Sequence, residues 1–203
     1  MSKFAARTAA DTARLVEASP LAWVVSGVGE NFRATLLPIR AVTDDKGGVA
    51  RLTGHFARRN DQVTLLSVDP RATILFLGPH GYVSPSWMAD RTQAPTWNYA
   101  SAQFLVEIEF FDDPPRVRAH LDDLVQAMEG DRANAWTVDE TAQRYAALSR
   151  NIAGFDARII ETREKFKLGQ DERPDVFADI MSGLERTGQR DLHDWMAVFA
   201  AEK

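Results

Sequence analysis

The sequence predicts an α+β fold that is mainly β: an antiparallel barrel with added helices and a helical hairpin at its C-terminal end. Three observations lead there. Strand-like segments follow one another through the first 110 residues, helical segments gather after residue 113, and the strand–helix alternation of a parallel sheet is absent.

The segments read as follows. Residues 8–18 (TAADTARLVEA) form a short helix whose apolar face holds Ala9, Ala13, Leu15 and Val16, stopped by Ser19-Pro20. Leu21 to Ser26 is rich in β-formers and bounded by Gly27 and Gly29, a strand entering a hairpin turn. Phe32 to Ile39 is a second strand, with Pro38 suggesting an edge or bulge, and Val49 to Thr53 a third after the turn Asp44–Gly48. Asn60 to Val68 fits helix and strand equally well by periodicity. Ala72 to Leu77 reads as a buried strand, and Tyr82 to Met88 and Ser101 to Phe110 as two more. Asp113 before Pro114 is a helix start, a carboxylate N-cap with prolines in the first turn. That helix runs to about Met128, with Val117, Leu121, Leu124, Val125 and Met128 on one face, and a second helical stretch covers about Asp139 to Ser149. Phe155 to Lys167 returns to strand alternation. Residues from Pro174 onward form two helices turning at Thr187-Gly188. One barrel domain over 1–170, with a helical insertion at about 113–150, and a helical appendage over 171–203 are expected.

Composition narrows the chemistry. Hydrophobic residues make up 45% and charged residues 26% of 203, an ordinary globular balance. A net charge of −5 argues against a surface that coats nucleic acid. With no cysteine, disulfides, thiolate metal sites and cysteine nucleophiles drop out. No apolar run reaches signal-peptide or membrane-spanning length, so a soluble chain in the cytoplasm is expected, without membrane contact. The four histidines show no metal-ligand spacing, and His120 and His193, in helical stretches, are expected at the surface. No G-x-S-x-G nucleophile motif occurs, and Gly27-Val28-Gly29 reads as a hairpin turn instead of a dinucleotide fingerprint.

Three segments combine residues suited to binding. In His55-Phe56-Ala57-Arg58-Arg59-Asn60, two arginines follow a strand end, and Asn60 can cap a helix; free amides and guanidinium groups together suit phosphate, although two solvated surface arginines would read the same. In Gly78-Pro79-His80-Gly81-Tyr82-Val83-Ser84-Pro85-Ser86-Trp87, small hydroxyls lie beside an aromatic ring, which serves either a planar heteroaromatic ligand or a rigid turn with a core tryptophan. Pro95-Thr96-Trp97-Asn98-Tyr99 interleaves rings with hydrogen-bonding groups without a basic groove. Lys165 and Lys167, spaced by two, share one side of a strand and form a cationic stripe open to a phosphate, a flavin ring or neighbouring carboxylates.

Taken together these strings resemble the PaiB family of FMN-binding split-barrel proteins, described as negative transcriptional regulators. The resemblance is carried by Ala34-Thr35-Leu36-Leu37-Pro38, Thr53-Gly54-His55-Phe56-Ala57-Arg58 with Asn60, the G-P-H-x-Y-x-S-P-S-W and P-T-W-N-Y strings, Gly154-Phe155, and Lys165-Phe166-Lys167-Leu168, in order over about residues 20–170. It implies a six-stranded split barrel like that of pyridoxamine-phosphate oxidases and flavin reductases, a homodimer, and FMN near the subunit interface. It favours a helix after Asn60. It implies the flavin phosphate at Thr53, His55, Arg58 and Arg59 with Asn60, the ring along Ala34, Thr35 and Pro38, and Ser84, Ser86, Trp87, Thr96, Trp97 and Lys167 completing the pocket, some from the partner subunit. The chain departs from the family where Asp61 and Val63 replace the proline and tryptophan of N-P-x-W, at Met88, at Gly169-Gln170-Asp171, and over its first nineteen residues, which match poorly.

The implied functions are a flavin-binding regulator, an FMN-dependent oxidoreductase or flavin reductase, and a haem-handling relative in which His55 or His80 would approach iron. Residues 172–203 carry seven acidic and four basic side chains, an unfavourable balance for approaching DNA phosphates, so the hairpin is expected to stabilise a dimer.

Overall fold

The computed structural model describes residues 3–201. Six antiparallel strands close into a barrel in the order β1-β2-β3-β6-β5-β4, where β1 is Leu21–Ser26, β2 Arg33–Thr43, β3 Val49–Ala57, β4 Arg71–Val83, β5 Thr96–Phe111 and β6 Ile152–Lys167. The predicted antiparallel barrel is thus present with six strands. Closure follows from alternation: Val24, Ile39, Leu52, Phe56, Ile74, Phe104 and Phe155 point inward and lose nearly all contact with solvent, while their neighbours point out.

The helices plug and clasp this barrel. α1 (Ala9–Ala18) buries Leu15 and Val16 against it. α2 (Asp61–Val68) resolves the ambiguous segment as a helix, because the Asn60 side chain accepts the Gln62 N–H at 2.9 Å and fixes the first turn. α3 (Pro114–Glu129) starts where predicted, with Asp113 accepting the Arg116 N–H at 3.0 Å. The second helical stretch is a 3₁₀ segment, Val138–Arg144, followed by α4 (Tyr145–Ser149). α5 (Pro174–Arg186) and α6 (Arg190–Ala201) form the hairpin, turning at Gly188 with φ +72°, and bury Ile180, Leu184, Trp195 and Phe199 in the same core as the strands. Trp195 and Phe199 stack on Phe166 of β6.

Two expected strands prove to be one. Ala72–Leu77 and Tyr82–Val83 both belong to β4, which runs through a bulge between Leu77 and His80, and Pro85–Trp87 is a 3₁₀ turn. The bulge inserts extra residues opposite Tyr99–Ser101 and lets the strand continue past Gly78-Pro79. A second bulge, between Leu105 and Val106, shifts the inward parity of β6, so that Phe155, Ala157 and Phe166 all end up buried.

Candidate functional site

The site begins at the end of β3. Gly54 sits inward where a Cβ would come within 2.8 Å of both Ile39 and Phe155, so only hydrogen fits between them. Its neighbours Thr53 and His55 therefore face outward, toward α3. The Thr53 hydroxyl donates to the Phe155 carbonyl at 3.1 Å. His55 Nδ1 lies 3.0 Å from His120 Nε2, the two rings edge to face.

His120 corrects an expectation. It is 8% exposed, beneath α3, with Phe111 on its other side, and not a surface residue. Its spacing of three from Val117 places both on the buried helix face, a signal the sequence did carry. Burial and then the neighbouring His55 push its pKa down to about 4, against partial compensation from Asp123 and Asp156. Burial also lowers His55. At neutral pH both imidazoles are uncharged.

The arginines divide. Arg58 directs Nε to the Arg150 carbonyl at 2.9 Å and Nη2 to the Ile152 carbonyl at 2.7 Å, leaving Nη1 3.5 Å from Asp112. It fastens the start of β6 to the end of β3 and borders a cleft of about 320 Å³ with Asp112, Pro114, Val117, Ser149 and Arg150. Arg59 is exposed, and no side-chain hydrogen bond or ion pair among the described residues engages it. The α2 N-terminus offers little to an anion, because Asn60 occupies the Gln62 amide and Asp61 adds a carboxylate, itself paired to Arg33 at 2.6 Å.

Thr35 and Asn60 turn toward each other. Asn60 Nδ2 donates to Thr35 Oγ1 at 3.0 Å, which donates to Gln62 Oε1 at 2.6 Å, while Gln62 Nε2 bonds the Val24 carbonyl and Ser26 Oγ. Gln62, fully buried and missed in the sequence, anchors this network. Ala34 and Pro38 lie on the opposite, outward side of β2 with Leu36.

That outward side is apolar. Leu36 is paired with Trp23, Trp23 with Leu75, and Pro38 with Leu21, so Leu21, Trp23, Leu36 and Leu77 form one exposed face across β2, β1 and β4, each 41–55% exposed.

The remaining candidates form a second group. Trp97 is exposed and stacks on His80, with Tyr82 edge-on. Lys167 donates to Thr96 Oγ1, and Ser84 and Ser86 share a hydroxyl contact of 2.7 Å. Trp87, by contrast, packs against Gly183 of α5, where any Cβ would collide with the indole, so its ring face is taken by the hairpin. Ala57 pairs with Ile152 and Tyr99 with Lys167, so the two groups are separated by most of β6, roughly 45 Å of strand contour.

Among the described residues no cluster of three or more His, Cys, Asp or Glu side chains could hold a metal, and no helix is long and apolar enough to cross a membrane.

A family model described as "Putative FMN-binding domain" matches residues 1–161, and so takes in the first nineteen residues, expected to match poorly. The chain is 24% identical over 135 residues to the protease synthase and sporulation protein PAI 2 of Bacillus subtilis, covering 66% of this chain and 64% of that protein, less than two thirds of its length. The fold is shared with a FAD and heme binding protein of Mycobacterium smegmatis (TM-score 0.57, 19% identity, 85% of this chain and 77% of that one). It is also shared with a conserved hypothetical protein of Mycobacterium tuberculosis (TM-score 0.56, 15% identity, 83% and 91%).

Proposed function

The chain belongs to this FMN-binding domain family, and from that membership we propose that two copies of it hold FMN at the β3 end of each barrel, as a cytoplasmic flavin-dependent regulator of the PaiB type. The observation that carries the reading is that Pro38 of β2 and His55 of β3 both face outward on paired strands, with Arg59 in the loop that follows β3: an imidazole and a guanidinium suit a phosphate, and the apolar face beginning at Pro38 suits a flat ring. In this reading Arg59 is the free cation for the phosphate, Arg58 shapes the floor beside it, and Asn60 with Thr35 fixes the loop. The flavin supplies electron or hydride transfer when bound; the protein supplies binding and orientation.

The dimer reading rests on the same face. Leu21, Trp23, Leu36 and Leu77 would be covered by a second copy, an isologous contact in which each subunit gives the same patch. The second copy would also bring Trp97, Thr96, Lys167 and the Ser84–Ser86 pair to a site that one chain leaves incomplete. A chain without cysteine suits a reducing cytoplasm.

The regulatory role rests on the PaiB resemblance; the carboxylates nearest the rim, Asp123 and Asp156, are already paired with arginine, and the imidazole pair is uncharged at neutral pH. Direct contact with DNA through the hairpin is disfavoured by its acidic balance. The test is reconstitution with FMN, a visible spectrum, and addition of NADH or NADPH. A yellow dimer without steady turnover supports the regulator; sustained oxidation of the nicotinamide makes it an oxidoreductase.

A further inference from the structure

The imidazole pair under α3 has an order that its neighbours set. Two neutral rings 3.0 Å apart need one donor and one acceptor, so the tautomers of His55 and His120 are coupled. The Thr53 proton goes to the Phe155 carbonyl, so its oxygen meets His120 Nδ1, at 3.5 Å, as an acceptor. His120 then carries its proton on Nδ1 and presents a bare Nε2. His55 donates its Nδ1–H into that lone pair and is left with a bare Nε2 of its own. This Nε2 has no partner among the described residues and is not among the buried polar atoms cut off from solvent.

A bare ring nitrogen repels a phosphate oxygen, and a protonated one donates to it. We propose that His120 is a positioning residue that holds His55 in the Nδ1–H tautomer, so that a phosphoester binds at the β3 end only with uptake of one proton on His55 Nε2. The identity of the ligand rests on the FMN reading; the tautomer does not.

The surrounding charges leave this linkage to the imidazoles. From β2 comes Arg40, paired with Asp123 of α3 at 3.2 Å. From β6 comes Asp156, held by Arg116 of α3 at 2.9 Å and by Arg51 of β3 at 3.6 Å. β5 contributes the Phe111 ring. Each acid already has its cation, and burial keeps His55 uncharged at neutral pH until an anion arrives.

The test has two arms. In the free protein, long-range ¹H–¹⁵N spectra should show His55 protonated at Nδ1 in the wild type and at Nε2 in His120→Phe. Calorimetric titration with FMN at pH 7.5, where the phosphate is already a dianion, should show in buffers of different ionisation enthalpy about one proton taken up per flavin, and affinity falling by up to about tenfold per pH unit above that. His55→Gln should take up none. His120→Phe should still bind FMN, with the neutral Nε2–H donating, and take up almost none; His120→Gln, which keeps an acceptor, should restore uptake. Riboflavin, lacking the phosphate, should take up none. Wild-type binding without proton uptake, or equal uptake by His120→Phe, overturns the inference while the FMN reading stands. If nothing binds FMN, the FMN reading is wrong and the linkage falls with it, and an Nε2–H tautomer at His55 in the wild type refutes the positioning role on its own.

Discussion

The adjacent arginines should respond differently to the same substitution. Replacing Arg58 with alanine removes two hydrogen bonds to the carbonyls of Arg150 and Ile152, at 2.9 and 2.7 Å, and a weak contact with Asp112. Bonds from a charged donor are worth about 1.5–3 kcal/mol each when buried. Here 44% of the side chain is exposed, so screening reduces each to roughly 1 kcal/mol, for a loss of about 2 kcal/mol. For a chain of this size that lowers the melting temperature by about 4–8 °C. Arg59 has no such partners, so Arg59→Ala should change stability by less than about 0.5 kcal/mol. It should weaken FMN binding by roughly tenfold to a hundredfold, the loss of one charge-assisted phosphate contact. Thermal melts monitored by circular dichroism, paired with FMN titrations followed by flavin fluorescence, separate the two effects. If Arg59→Ala binds FMN as tightly as the wild type, or Arg58→Ala melts normally while losing FMN, the division of roles is wrong.

Further outcomes follow from other parts of the molecule. His120 has its folded-state pKa depressed to about 4 from an unfolded value near 6.5, so the unfolded chain binds more protons between those values and stability falls as pH drops through that window, by up to about 3 kcal/mol; melts between pH 7 and 4.5 should show this loss, reduced in His120→Phe. Gly183→Val forces a side chain into the indole of Trp87 and should cost about 1–3 kcal/mol in urea denaturation. Gln62→Leu strands the Ser26 hydroxyl and the Val24 carbonyl in the core and should destabilise by about 2–4 kcal/mol in the same assay. Trp23→Asp with Leu77→Asp places two charges in the apolar face and should convert the proposed dimer to a folded monomer in sedimentation velocity, since both side chains point away from the core.

Much of the fold was legible because local signals and global structure agree. The caps at Asn60 and Asp113, the hairpin glycines and the alternation of β1 each act within a few residues, and each is found in place, whereas the alternation of β6 is interrupted by its bulge. The bulge in β4 was not legible, since Gly78-Pro79 breaks a strand by every local rule, and it is pairing with β5 that carries the chain through. Thr53, His55 and Arg59 lie along one strand and the loop after it, so their nearness in the chain could be read locally. Arg58 owes its commitments to carbonyls some 90 residues away, and Trp87 to a helix equally distant, which no local pattern announces. His120 was misplaced because a histidine on a helix reads as polar, while its partner sits 65 residues back on another element.

The central claim is that FMN occupies a site completed by two copies of the chain. The most direct measurement is an FMN binding isotherm, read from flavin absorbance, for the wild type and for the Trp23→Asp, Leu77→Asp monomer. The wild type should bind one FMN per chain, and the folded monomer should bind at least a hundredfold more weakly, because it lacks the second copy's Trp97 and Lys167. Equal binding by the monomer, or none by the wild type, contradicts the account.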